Sequence, residues 1–232
     1  MPERGWNSCS FETPARRGRK SFFRTSSGFR SVLASTTLGG FRSFGLTDWD
    51  ERYRAGGHSP AEPHPLLKTI ADTGTPGDAL DLACGAGRHG IYLAKQGWRV
   101  TAVDASREGI RVLHRRAHDA GVEIDTVVAD LESGEFHIKV NAYDLICVFY
   151  YLQRDLFEPI KKGVRKGGLF VGAIHIIDDE PDSHPMNPKY LLEPGELKAL
   201  FSGWQIAHYH EGRHGGAEHK HRDAEIIARC TT

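Results

Sequence analysis

From residue 79 onward, short apolar runs alternate with longer stretches whose apolar positions recur at helical spacing. Ala79–Ala83, Arg99–Val103, Ile124–Ala129, Asp144–Phe149 and Leu169–Ile177 read as strands. Between them, Arg88 to Gln96, a segment capped by Ser106 and running to Ala120, and Arg154 to Val164 read as helices. Strictly alternating strands and helices imply a parallel sheet covered by helices on both faces. Ahead of the first strand, Thr47 or Asp48 is expected to cap a short helix with acids in its first turn, and Gly56 to Pro60 ends it. A Pro-rich link leads to a helix over Pro65–Thr73. After Ile177 the pattern changes. Asp178 to Tyr190 is polar and contains proline, as expected of a loop that lies over a site. Glu193–Phe201 predicts a helix with Pro194 in its first turn, and Gly203–Glu211 and Ala224–Cys230 predict two more strands. No internal repeat is present.

The densest chemistry lies in Ala79–Ser106, ALDLACGAGRHGIYLAKQGWRVTAVDAS. A glycine turn, Gly85-Ala86-Gly87, joins the first strand to a helix that starts near Arg88. Glycines without Cβ let the backbone turn sharply and let a ligand lie against it. The helix start points free N–H groups and the positive end of its dipole at that ligand. Asp104 follows Gly85 at the spacing at which a strand-end acid accepts hydrogen bonds from ribose hydroxyls. Gly85 to Gly90 also satisfies GxGxxG, the dinucleotide pattern, which is weak by itself. Asp81 separates the readings. A carboxylate four residues before the first glycine repels a pyrophosphate and suits a ligand with a positive charge beside its ribose. S-adenosyl-L-methionine carries two such charges, a sulfonium and an ammonium; the alternative is that Asp81 only caps the turn. Asp130 follows the third strand, where a carboxylate can accept from the exocyclic amine of adenine while the Leu131 N–H reaches a ring nitrogen. A helix N-cap at Asp130 is the other reading. All three acids fall at the carboxyl ends of strands, where open α/β sheets bind ligands.

LDLACGAG, the second-strand acid Asp104, the adenine-side acid Asp130, YDLICVFYYL and KGGLFV together closely resemble the class I S-adenosylmethionine-dependent methyltransferases, over roughly Leu46 to Cys230. The resemblance implies a Rossmann-like, doubly wound α/β fold with a seven-stranded sheet, mostly parallel and closed by a C-terminal antiparallel hairpin. It also implies an enzyme using S-adenosyl-L-methionine, with Asp81 and the Gly85–Gly87 turn at the methionine portion, Asp104 at the ribose, Asp130 and Leu131 at the adenine, and Ala83, Arg88, Ala105, Ser106 and Val148 among the further cofactor-binding residues. Trp49 and Tyr53, on the first helix, are expected to close over the cofactor or simply to pack. Thr47–Tyr53, CGAGRHGIYLA, LLEPGELKALFSGW and the closing strand resemble the small-molecule methyltransferases of the tellurite-resistance (TehB) type. Two departures stand out: His89 replaces an asparagine frequent in those relatives, and Arg213–Arg222 is rich in histidine.

Charge and composition narrow the partners. The 232 residues carry no formal net charge, yet residues 1–45 hold eight Lys and Arg against two acids, leaving the rest net acidic. An acidic catalytic domain argues against nucleic acid as a substrate, since phosphates need a basic surface. So does the fourth strand, which lacks the Asn/Asp-Pro-Pro-aromatic motif that holds an exocyclic amine. Cys9, Cys84, Cys147 and Cys230 have no paired spacing and read as reduced thiols of a cytoplasmic protein. No run has the apolar length of a membrane span. Residues 1–45, rich in Arg, Ser, Gly and Phe, read as a disordered extension, a stretch read from an upstream start codon, or a transit peptide that implies organellar import; residues 46–232 form the methyltransferase domain. A monomer or weak homodimer is expected.

Methyl transfer is an in-line displacement in which the enzyme chiefly supplies alignment and desolvation. A thiolate or chalcogen oxyanion needs little base, whereas an oxygen or nitrogen nucleophile needs one. Tyr150, His175 and Arg222 are the leading acceptor-side residues; Tyr151, His184, His219 and His221 are further candidates. Each has a structural alternative: core packing for Tyr151, a buried satisfied ring for His175, a surface ion pair for Arg222. His208, His210, His214, His219 and His221 do not match a zinc spacing, and no metal site is expected. Two competing functions remain: a non-catalytic binder of the cofactor, and a nicotinamide-dependent oxidoreductase.

Overall fold

The computed structural model describes residues 46–56, 60–178, 187–213 and 221–231. Two units divide the chain, Met1–Phe41 and Arg42–Thr232. The first lies outside the described residues, as do His184, His214 and His219. Among its described residues the second holds six α-helices, α1 Leu46–Arg54, α2 Pro65–Thr73, α3 Arg88–Lys95, α4 Arg107–Ala120, α5 Phe157–Gly163 and α6 Glu196–Leu200. Its strands are β1 Asp78–Leu82, β2 Arg99–Asp104, β3 Asp125–Val128, β4 Tyr143–Phe149, β5 Val164–His175, β6 Gln205–Gly212 and β7 Asp223–Arg229. They form one sheet in the order β3-β2-β1-β4-β5-β7-β6. The first five are parallel; β7 runs antiparallel to β5, and β6 antiparallel to β7. This is the expected Rossmann-like, doubly wound sheet with its C-terminal antiparallel hairpin.

Both faces are buried because successive residues of a strand point to opposite sides. Along β4, Leu145, Cys147 and Phe149 join Leu66, Leu67, Leu93 and Trp98 of the α2–α3 face. Their neighbours Ile146 and Val148 join Phe157, Ile160, Leu197 and Phe201 of the α5–α6 face. Strand β5 alternates likewise, with Val171 and Ala173 on one side and Phe170 and Ile174 on the other. Strand order reverses between β1 and β4, and in open α/β sheets the carboxyl ends of the strands at such a point form the ligand-binding crevice.

Several boundaries differ from the expectation, each for a local reason. Helix α1 already includes Thr47 and Asp48, so neither caps it. Arg154–Leu156 forms a 3-10 turn before α5, because Pro159 has no N–H to give to Asp155 and the α-helical ladder starts late. Strand β5 starts at Val164, ahead of the expected Leu169, and takes in Arg165–Gly168. That stretch is a bulge inside β5, since Tyr143 pairs with Val164 while Leu145 pairs with Leu169. Gly195 takes φ 82° ahead of Glu196, so α6 starts after it and Pro194 lies outside the helix. Ser106 caps α4 as expected, its hydroxyl accepting from Gly109 N–H at 3.0 Å.

Candidate active site

Two acids face each other across the glycine turn. Asp81 lies in β1, registered between Ala102 of β2 and Cys147 of β4, and is 1 % exposed. One oxygen accepts from Gly90 N–H (3.0 Å), in the first turn of α3, and the other from the Cys147 thiol (3.5 Å). Burial pushes its carboxyl up to about 7, with Asp104 adding and Arg88 opposing. Asp104 ends β2 and accepts from Gly85 N–H (2.7 Å) and Ser106 N–H (2.8 Å). Burial raises its carboxyl too. Each of its oxygens keeps a second lone pair for a ligand hydroxyl. Between the acids, Gly85 and Gly87 sit at φ 54° and 80°, a region unfavourable to residues with a Cβ. Ala83 takes φ 54° at the end of β1 and Tyr150 takes φ 59° at the end of β4. Non-glycine residues held in this region make the ends of β1 and β4 candidate functional positions.

Helix α1 closes one side. Asp50 accepts from the Ser106 hydroxyl (2.5 Å) and from Glu108 N–H (3.2 Å), which ties α1 to the start of α4. That anchor lays Tyr53 over the turn: a Cβ on Gly85 would strike its hydroxyl, and one on Gly109 would meet its ring at 3.1 Å. Trp49 tilts against Tyr53 at 6.2 Å between centroids and carries the Arg52 guanidinium on its own ring. Beyond β3, Asp130 accepts from Glu132 N–H (2.9 Å) and its N–H donates to Glu135. A turn follows rather than a helix, so Asp130 is not a helix N-cap. Leu131 is buried, and its carbonyl accepts from Gln153 (3.1 Å), whose other amide atom accepts from the Tyr151 hydroxyl (2.8 Å). Val148 is interior to β4, between Leu82 and Gly172.

On the opposite lip, rings converge on Tyr150. Arg88 lies over its ring at 5.5 Å, His175 is tilted to it at 4.9 Å, and His64 at 6.1 Å. Burial raises the Tyr150 hydroxyl to about 12. His175 Nδ1 meets Asp223 Oδ1 at 2.5 Å, and His221 stands at 5.3 Å from the His175 ring. His64 Nδ1 accepts from Leu66 N–H (3.2 Å), so its Nε2 carries the proton toward Glu225 (3.2 Å). His208 reaches the second oxygen of Glu225 at 3.3 Å. His89 stacks on Phe149 at 4.0 Å. Burial drives its ring well below the ordinary histidine range, and among the described residues its Nε2 has no hydrogen-bond partner. Arg222 precedes Asp223, is half-buried, and its carbonyl accepts from Ile176 N–H.

The chain matches the family model described as tellurite resistance protein TehB over residues 50–227. It belongs to the TehB family. A curated relative in Haemophilus influenzae, named a probable S-adenosyl-L-methionine-dependent methyltransferase TehB, is 31 % identical over 146 residues, or 59 % of this chain and 49 % of that protein. The chain thus spans about half the length of the curated TehB relatives it matches. The crystal structure of TehB from Haemophilus influenzae has a TM-score of 0.64 at 23 % identity, covering 78 % of this chain and 67 % of that one. A Burkholderia thailandensis 1,6-didemethyltoxoflavin-N1-methyltransferase, solved with its substrate and S-adenosylhomocysteine, has a TM-score of 0.61 at 20 % identity, covering 80 % and 87 %. At these identities the two structures show a shared fold.

Of the residues picked out in the TehB-like pattern of the sequence, Asp81, Ala83, Gly85, Gly87, Arg88, Asp104, Ala105 and Ser106 lie along the β1–α3 and β2–α4 connections. Tyr150 and His175 lie together at the ends of β4 and β5, and Tyr151 leans onto the core. Sequence reasoning missed Asp50, His64, Asp223 and Glu225. The period-2 pattern of the last strand did hold a clue, because Asp223 and Glu225 interrupt an otherwise apolar run. Among the described residues no group of three or more His, Cys, Asp or Glu is arranged as a metal site.

Proposed function

We propose that this chain is an S-adenosyl-L-methionine-dependent methyltransferase acting on a small-molecule acceptor. The observation that carries the proposal is Asp81, a buried carboxylate near the carboxyl end of β1 and beside a glycine turn, to which no side-chain cation is bonded among the described residues. Such a group disfavours a pyrophosphate and favours a cation. The residues fit the cofactor: Asp104 retains acceptor capacity for ribose hydroxyls, and the positive-φ turn lets a ligand lie on the backbone.

When bound, that cofactor supplies an electrophilic methyl group on a sulfonium. Asp81, Ala83 and the Gly85–Gly87 turn, with Arg88, hold the methionine portion. Asp104, Ala105 and Ser106 hold the ribose. Asp130, Leu131 and Val148 line the adenine end, and Trp49 and Tyr53 cover the site from α1. Tyr150, His175 and Arg222 face the acceptor, which they orient while the buried rings exclude water. Thiols and selenium or tellurium oxyanions belong to the acceptor classes to be screened. The working form is a cytoplasmic monomer or weak homodimer with no nucleic-acid partner; among the described residues no helix is long and apolar enough to cross a membrane.

Calorimetric titration with S-adenosylmethionine, S-adenosylhomocysteine and NAD(H) tests this. Micromolar binding of the first two and none of the third is expected. Binding of NAD(H) alone returns the oxidoreductase reading, and tight cofactor binding without transfer to any acceptor returns the non-catalytic one.

A further inference from the structure

His175 and Asp223 are cross-strand partners, paired directly in the β5–β7 ladder, so their side chains leave the sheet on one face. Asp223 is 1 % exposed, and its Oδ1 takes the Nδ1 proton of His175. With Nδ1 committed, Nε2 becomes the proton-accepting atom of the ring. A carboxylate that fixes the imidazole tautomer and stabilises the imidazolium is the arrangement of a general base. The ring sits at the carboxyl end of β5, against Tyr150 on the lip of the crevice.

We propose that His175, oriented by Asp223, accepts the proton of a hydroxyl-bearing acceptor of phenol or enol type, which enters the site neutral and protonated. The inference rests on the methyl-transfer reading above. A base so placed favours it, because an acceptor that arrives as an anion needs no base, whereas a neutral hydroxyl does. Tyr150 is not the base: burial keeps its own proton on up to about pH 12, which makes it a hydrogen-bond donor to the acceptor oxygen. Its left-handed backbone, pinned by Tyr150 N–H to the Ala173 carbonyl at 2.7 Å, holds that donor beside His175. In the step, the acceptor oxygen forms a bond to the methyl carbon. The carbon–sulfur bond breaks with its electron pair left on sulfur, and the hydroxyl proton passes to His175 Nε2. The sulfonium charge is thereby replaced by an imidazolium facing Asp223.

The full chain, saturated with S-adenosylhomocysteine, is titrated with 4-nitrocatechol at a pH where the free probe is mostly neutral. Wild type is expected to bind it with the absorbance of the phenolate. Asp223→Asn, which offers an amide donor to Nδ1 and moves the ring proton to Nε2, and His175→Gln are expected to bind it in the neutral form, within about threefold in affinity. In turnover on a phenol panel both variants fall in kcat by about 100-fold or more with KM little changed, the usual range for loss of a general base. Identical spectra for wild type and Asp223→Asn overturn the proposal, as does failure of the probe to bind. Methylation of selenite or 2-mercaptoethanol at a rate that His175→Gln leaves unchanged, with phenols inert, also overturns it. S-adenosylhomocysteine affinity, measured first on each protein, separates the two levels. Its absence in wild type removes the methyl-transfer reading itself, and its retention in the variants shows that they are folded.

Discussion

Asp81→Asn is expected to stabilise the ligand-free protein and weaken cofactor binding. Burial raises the folded-state carboxyl from an ordinary 3.8 to about 7. At 1.36 kcal/mol per pH unit, holding it ionised in the folded chain costs about 4 kcal/mol. The sign follows from proton occupancy. Below pH 3.8 both states carry the proton and stability does not depend on this group. Between 3.8 and about 7 only the folded state keeps it, so stability falls as pH rises; above 7 the full amount is lost. Asparagine retains an acceptor for Gly90 N–H and has no charge to desolvate. Allowing about 1–2 kcal/mol for burying the amide, the net gain at pH 8.5 is about 2–3 kcal/mol. For a domain of this size that raises Tm by about 5–10 °C. At pH 5 most of the gain disappears, because wild-type Asp81 is then protonated in the fold.

The assay is thermal unfolding of both proteins at pH 5 and pH 8.5 without ligand, followed by calorimetry with S-adenosylmethionine at pH 8.5. Loss of a charge-assisted contact of about 2–3 kcal/mol lowers affinity roughly 30- to 150-fold. A variant less stable than wild type at both pH values would show that Asp81 is a structural cap. Unchanged affinity would refute its role toward a cation.

Other residues give sharper local tests. Asp104→Ala removes the acceptor for two ribose hydroxyls and is expected to weaken S-adenosylhomocysteine binding by at least about 100-fold by calorimetry; unchanged affinity contradicts the ribose assignment. Gly85→Ala forces a Cβ onto a left-handed backbone and into the Tyr53 hydroxyl, costing about 2–3 kcal/mol. Adding Tyr53→Phe recovers about 1 kcal/mol of that in a double-mutant cycle by chemical denaturation, and strict additivity would show the two groups do not meet. Asp50→Ala removes the tie between α1 and α4, so it is expected to cost about 1 kcal/mol and to raise the proteolysis rate within Leu46–Arg54, with cofactor protecting wild type more than the variant. Near pH 6.5, cofactor binding is expected to release a proton from Asp81, so calorimetric enthalpies in buffers of different ionisation heat differ. Equal enthalpies would place the cation elsewhere.

The candidate cofactor site could be assembled from the sequence because it is local in the chain. Asp81, Gly85, Gly87 and Asp104 follow one another through a strand–turn–helix–strand run, and Asp130 comes two residues after the next strand; the apolar pattern of each strand marks where its acid falls. The errors arose where single residues override pattern: Pro159 delays α5, Gly195 delays α6, and four residues bulge out of β5 at a site that reads as an ordinary turn. The acceptor side was only partly legible. Tyr150 and His175 stand at strand ends and could be picked out there. Their surroundings come from far along the chain: His64 before β1, Asp223 and Glu225 in β7. No spacing rule links a histidine at the cap of α2 to a glutamate in the last strand; only the sheet order, which sets β7 beside β5, brings them together.

The three buried carboxylates of the crevice can be ranked by what balances them. Glu225 is flanked by His64 and His208, one on each oxygen. Asp223 is met by His175. In both cases the chain supplies ring nitrogens that hydrogen-bond the carboxylate, as buried acids require. Asp81 is held instead by one backbone N–H and one thiol, and Arg88 acts on it only at a distance. A fold selected for stability alone would replace such a group by an amide or an apolar residue. Retaining it fits a site whose balancing charge arrives with the ligand. Under the proposed function the site has two sides of different electrostatic character: Asp81 would meet a cation from the donor, while Asp223 orients a ring placed to take the proton of the acceptor.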